Sequence, residues 1–175
     1  MEAVMEKTKP VTFVFEDDGL VPNNPLPFII YKRVIDVDTA HPERTIEDVF
    51  TSHQWGSTWR NGIYDYLHYH STAHEVLGVA RGQARVRFGG DRGKVLEVTA
   101  GDVAILPAGT GHQCLFGTRD LSVVGAYPLG QTMEITRPTP DNHAEAVKRI
   151  PRVAAPGADP VMGEDGPLVR LWRRP

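Results

Sequence analysis

Cysteine is almost absent from this 175-residue chain: Cys114 stands alone. One thiol cannot form an internal disulfide, so a hydrophobic core must hold the fold, and a reducing, cytoplasmic setting is expected. No stretch approaches the ~18 consecutive apolar residues of a membrane span. The opening residues, MEAVMEKTKPV, lack the basic and apolar regions of a secretory leader. Neither sign of charge is in excess, with 19 Lys and Arg against 22 Asp and Glu. That balance leaves no electrostatic footprint for nucleic acid or an anionic membrane. The length is that of one domain, 1–175, large enough to bury a core without metal or disulfide staples.

Turn residues, by contrast, are plentiful. The 17 glycines and 14 prolines are spread along the chain rather than clustered, so they read as turns and not as a disordered tract. Short β-like runs fall between them: Val11–Phe15, Phe28–Val37, Ile63–His70, Glu75–Ala80, Ala84–Phe88, Val95–Val98, Val103–Leu106, Gln113–Phe116 and Leu121–Tyr127. Val21–Pro27, with three prolines and two asparagines, reads as an extended loop. Two short helices interrupt the pattern. One begins at His41–Pro42 or at Thr45 and carries Ile46, Val49 and Phe50 on one face. The other, about 144–150, is capped by Asn142 with Glu145 and stopped by Pro151. Leu168–Trp172 reads as an edge strand, available for exchange between subunits. Many short strands with glycine-rich turns imply an all-β sandwich or barrel with one or two short peripheral helices. The barrel occupies about 28–127, and 128–175 forms an extension.

Chemistry concentrates at four residues. On a strand from Ile63 to His70, Tyr64, Tyr66, His68 and His70 share a face, so the two imidazoles point the same way. Glu75 follows after a turn, and His112 comes from a separate strand. Three imidazoles and a carboxylate suit one divalent transition metal ion, and by ligand type alone iron, manganese, cobalt, nickel, copper or zinc would serve, with iron, manganese, nickel or zinc expected. The spacing adds weight. Gly62, His68, His70, Glu75 and Gly82 are separated in turn by five, one, four and six residues. Gly101, Pro107, Gly109 and His112 are separated by five, one and two.

Both spacings resemble the two signature motifs of the cupin superfamily. The first matches at every defined position. The second departs at its end, where Phe116 stands in place of the family's frequent Asn; that Asn is not a ligand, so the departure bears on pocket shape. The resemblance implies a cupin double-stranded β-helix, a jelly-roll-like barrel with the metal inside on His68, His70, Glu75 and His112. It also implies a homodimer. Tyr64, Tyr66 and His74 are the candidates for proton transfer, although His74, next to Glu75, points away from the site on a regular strand. Cys114, two residues beyond His112, is expected to face the interior as a small buried hydrophobe. Trp55, Trp59 and Arg60 are placed at the barrel mouth or a dimer contact, and Arg85 and Arg87 on a solvated strand face.

Three function classes follow: a metal-dependent enzyme acting on a small polar metabolite (isomerase, dioxygenase or decarboxylase), a non-catalytic module that binds or senses a small molecule, or a storage protein. Intact ligands disfavour the last, and the first is preferred. The ligand expected is a small molecule, not nucleic acid or membrane.

Overall fold

The computed structural model describes residues 3–4 and 9–173; most of the stretch read for a leader lies outside them. Among the described residues, nine strands form two antiparallel sheets. The larger contains, in spatial order, β1 (Val11–Phe15), β2 (Asn24–Tyr31), β7 (Val103–Leu106), β4 (Glu75–Arg81), β9 (Ser122–Pro128) and β3 (Trp55–Asn61). The smaller contains β6 (Lys94–Thr99), β5 (Gln83–Phe88) and β8 (His112–Gly117). The helices are α1 (Pro42–Ser52), α2 (Pro140–Arg149) and α3 (Pro167–Leu171). Among the described residues, no helix is long and apolar enough to cross a membrane.

Alternation along the strands of the larger sheet builds two cores. Phe28, Ile30, Leu77, Val79, Ala104, Leu106 and Val123 point inward and meet Ala84, Val86, Phe88 and Val98 of the smaller sheet. Their neighbours Ile29, Tyr31, Val76, Ala80, Ile105, Val124 and Ala126 form the other face, covered by Ile46 and Phe50 of α1 and by Leu168 and Trp172. A sheet buried on both faces explains why runs such as Val103–Leu106 are apolar throughout.

Several elements differ from the sequence reading. The chain begins β2 at Asn24, inside the expected loop, because Asn24 Oδ1 accepts the N–H of Leu26 and its amide donates to the carbonyl of Ala108. Trp55–Asn61 is a strand the pattern did not announce, broken by a bulge between Gly56 and Trp59. α1 starts at Pro42 with His41 as its cap residue, one of the two expected starts. α2 starts at Pro140, earlier than expected, because Thr139 accepts the N–H of Asn142. Leu168–Trp172 is no edge strand: Pro167 opens a helical turn, Trp172 N–H bonds to Leu168 O at 2.8 Å, and both side chains are buried in the outer core. It therefore has no exposed edge to exchange.

The extension is tied down by Asp159, which is fully buried. Its carboxylate accepts the Tyr31 hydroxyl at 2.5 Å and the N–H groups of Val161, Met162 and Leu168 at 2.8, 3.0 and 3.2 Å. Trp172 Nε1 donates to Pro27 O at 2.8 Å.

Candidate metal centre

The segment between β3 and β4 carries two histidines and is not the regular strand expected over Ile63–His70. It runs along β8 through Cys114 N–H to Tyr64 O (2.9 Å) and a reciprocal His68–His112 bridge (3.2 and 2.9 Å). Between these points, side chains take the carbonyls that a ladder would use. Gln113 Nε2 donates to Asp65 O and His68 Nδ1 to Tyr66 O. The expected ring alignment is nevertheless present: Tyr64–Tyr66, Tyr66–His68 and His68–His70 centroids lie 4.9, 5.4 and 5.5 Å apart.

The fold brings His68, His70 and His112 together, all buried, with one ring nitrogen of each within 4.8 Å of the others. Each imidazole holds its Nδ1 against a backbone carbonyl: His68 on Tyr66 (3.0 Å), His70 on Glu134 (2.6 Å) and His112 on Thr110 (3.0 Å). A carbonyl can only accept, so each Nδ1 carries a proton and each Nε2 is the nitrogen turned into the site. Glu75, at the start of β4, sets Oε1 3.3 Å from Nε2 of His70 and 3.3 Å from Nε2 of His112. Neither His70 Nε2 nor Glu75 Oε1 has a hydrogen-bond partner. A buried carboxylate on which ring nitrogens converge calls for positive charge, a proton on His70 or a metal ion in its place, so the donor set fits a metal ion.

Titration behaviour differs between the rings. Burial, and then the neighbouring His112, pushes His68 down to about 3, so it stays neutral. Burial alone would lower His70 as well, but the Glu75 carboxylate outweighs it and pushes His70 up to about 8. Burial would raise Glu75; His70 and His112 more than offset this and hold it far below the usual carboxylate range.

Two contributions lay outside the sequence reading. Glu134, in the extension, supplies the carbonyl that orients His70. Its carboxylate accepts the N–H and hydroxyl of Ser71 at 2.7 and 3.0 Å and the hydroxyl of Thr136. Tyr127, on β9, stands directly across from Glu75, since Leu77 pairs with Gly125 and Val76 with Ala126. Its hydroxyl accepts a hydrogen bond from Trp59 Nε1 at 2.8 Å. Burial, followed by the charge of Glu75, pushes that phenol well above its ordinary value.

A cavity of about 260 Å³ opens over the histidines; its lining includes Trp59, Arg60, Tyr64, Glu75 and Tyr127. Of the proton-transfer candidates, only Tyr64 lines it. Tyr66 stacks between Tyr64 and the Arg137 guanidinium, which lies 4.3 Å from its ring. His74 is fully buried elsewhere, neither on the surface nor in the cavity: its Nδ1 accepts the Ala108 N–H and its ring packs on Trp172. Trp55 is core, with its Nε1 on Ala158 O, whereas Trp59 and Arg60 stand at the mouth. Cys114 packs at the edge of the inner core, with burial pushing its thiol up. Phe116 is exposed and does not line the cavity, so the departure from the second motif leaves the wall unaffected.

The cupin family profile matches residues 23–127, more than half of the chain. The chain belongs to the cupin family. Its motif glycines behave accordingly: Gly109 has φ +93°, and a Cβ there would fall 2.5 Å from Asn23 O. This cupin is 38% identical over 162 residues to "Uncharacterized protein YjlB" of Bacillus subtilis (strain 168), covering 92% of this chain and 95% of that one. Among solved structures it resembles an acireductone dioxygenase from Bacillus anthracis with a cadmium ion in its active centre. That match has 15% identity and a TM-score of 0.41, over 71% of this chain and 82% of that one. The 11S allergen from Cocos nucifera matches with 19% identity and a TM-score of 0.37 over 46% of this cupin, which spans only 24% of the allergen chain.

Proposed function

We propose that this cupin is a metal-dependent enzyme in which His68, His70, Glu75 and His112 hold one divalent transition metal ion above which a small metabolite binds. The observation that carries this reading is the unpartnered His70 Nε2 facing Glu75 Oε1 at 3.3 Å in a buried site beneath an open cavity. A metal bound there would act as a Lewis acid on a carbonyl or carboxylate oxygen of the substrate. The protein's part is orientation: the carbonyls of Tyr66, Thr110 and Glu134 fix the three rings, and the cross-strand position of Tyr127 sets its phenol against the Glu75 carboxylate. Tyr64, at the cavity mouth, is the residue placed to exchange a proton with a bound molecule.

Elemental analysis of protein purified without a histidine tag or chelator tests the assignment. About one equivalent of iron, manganese, nickel or zinc is expected, falling several-fold when any of the four residues is replaced by Ala. Unchanged metal content in all four variants would overturn it. A homodimer is inferred on the same footing, with the exposed Val11 and Val14 on edge strand β1 as support; a monomeric mass by light scattering would reject it.

A further inference from the structure

We infer that the molecule bound over the metal is a monoanionic oxygen chelate carried on a hydrocarbon body, such as a branched 2-oxo acid or a 1,3-diketone enolate, and not a sugar or a phosphate ester. The inference rests on the metal reading above and concerns what the rest of the cavity can accommodate.

The floor of the cavity is polar and its walls are mostly apolar. Around the histidines stand Trp59, Ile63, Leu77, Met133 and Ile135. Apart from the Tyr64 hydroxyl, the polar wall groups are largely committed to the protein. Arg60 is ion-paired to Glu47, at 3.1 Å through Nε and 2.5 Å through Nη2. The Trp59 Nε1 proton is taken by the Tyr127 hydroxyl, whose own O–H is set against the Glu75 carboxylate. Asn61 turns its amide oxygen onto the N–H of Gly62 at 2.8 Å. A polyhydroxylated body would therefore bury hydroxyls with few partners, each at a cost, whereas a hydrocarbon body gains from the same walls.

Charge narrows the head group. A divalent ion with the Glu75 carboxylate would leave a net single positive charge, and Arg60, the other cationic side chain among the described lining residues, is ion-paired to Glu47. Such a centre matches one negative charge; a phosphate ester brings about −2 and finds no second cation. With four protein donors, an ion that takes six ligands would keep room for two ligand oxygens. The cavity, about 260 Å³, lies just under the usual ~300–1,000 Å³ range of small-molecule sites, so the body is short.

The test is isothermal titration of zinc-loaded protein, its zinc content measured first, with 4-methyl-2-oxopentanoate, pyruvate and glucose 6-phosphate. The first should bind at least tenfold more tightly than pyruvate, which offers the same head without the body. Glucose 6-phosphate should bind no more tightly than inorganic phosphate. In Met133→Ser and Ile135→Ser variants, zinc content should hold while the preference for the branched acid shrinks several-fold. Zinc uptake with no preference for the branched body, or with tighter binding of the sugar phosphate, overturns this inference alone. No zinc uptake overturns the metal reading and this inference with it.

Discussion

Trp59 lies flat over Gly125, its partner across β3 and β9, so closely that a Cβ on Gly125 would fall 2.0 Å from the indole. The missing side chain lets the ring lie against the sheet, and from there its Nε1 reaches the Tyr127 hydroxyl two residues along β9. Gly125→Ala should expel the indole, break that hydrogen bond and destabilise the fold by about 1–3 kcal/mol, as overpacking does. Denaturant titration checks this. Trp59→Phe in the Gly125→Ala background should recover part of the loss, because the two residues share one space; additive losses would contradict the account.

Metal affinity should depend on pH with a defined sign. His70, pushed up to about 8 chiefly by Glu75 against the opposing effect of burial, holds a proton below that value in the metal-free protein. A metal must displace it. Apparent affinity should therefore fall by about tenfold per pH unit below 8 and level off above it. His68, pushed down to about 3, adds no slope in this range. Chelator competition between pH 6 and 9 measures it; a flat profile would count against His70 as a ligand.

Glu134 orients His70 through its carbonyl and anchors its own position through Ser71 and Thr136. Glu134→Ala should lower metal affinity by about 10- to 100-fold, as loss of a ligand's support typically does. Tyr66 and Thr110 still fix the other two rings, so some binding should persist. The readout is the zinc dissociation constant, set beside a thermal melt of the metal-free protein.

The extension should matter for stability as well as for the site. Trp172→Ala removes a fully buried indole from the outer core and should cost about 3–5 kcal/mol. Tyr31→Phe leaves Asp159 without one of its four donors and should cost about 1–3 kcal/mol. Both are read from denaturant midpoints, and neither residue lines the cavity.

The histidine cluster was legible in the sequence because its parts are local or carry fixed spacing. His68 and His70 are two residues apart, Glu75 opens the next strand, and the glycines that turn the chain around them recur at set intervals. Most strands were legible for a similar reason, since period-two alternation records which face is buried. The reading failed where a side chain competes with the backbone ladder, as His68 and Gln113 do over Asp65 and Tyr66. It failed again at Leu168–Trp172, where a single helical turn is too short for the i, i+4 spacing of buried Leu168 and Trp172 to stand out. His74 escaped it too, since one buried polar residue with a backbone partner leaves no pattern.

The sequence by itself determined the all-β class, the two motifs and the identity of the residues with ligand chemistry, because these depend on residue type and short spacing. Tertiary structure decided the rest. It brought Glu134 behind His70 and Tyr127 opposite Glu75, seated Trp59 on Gly125, and closed the cavity with Met133 and Ile135. These contacts depend on strand pairing and on where the extension packs. They join residues tens of positions apart whose proximity is fixed only when both faces of the larger sheet are buried.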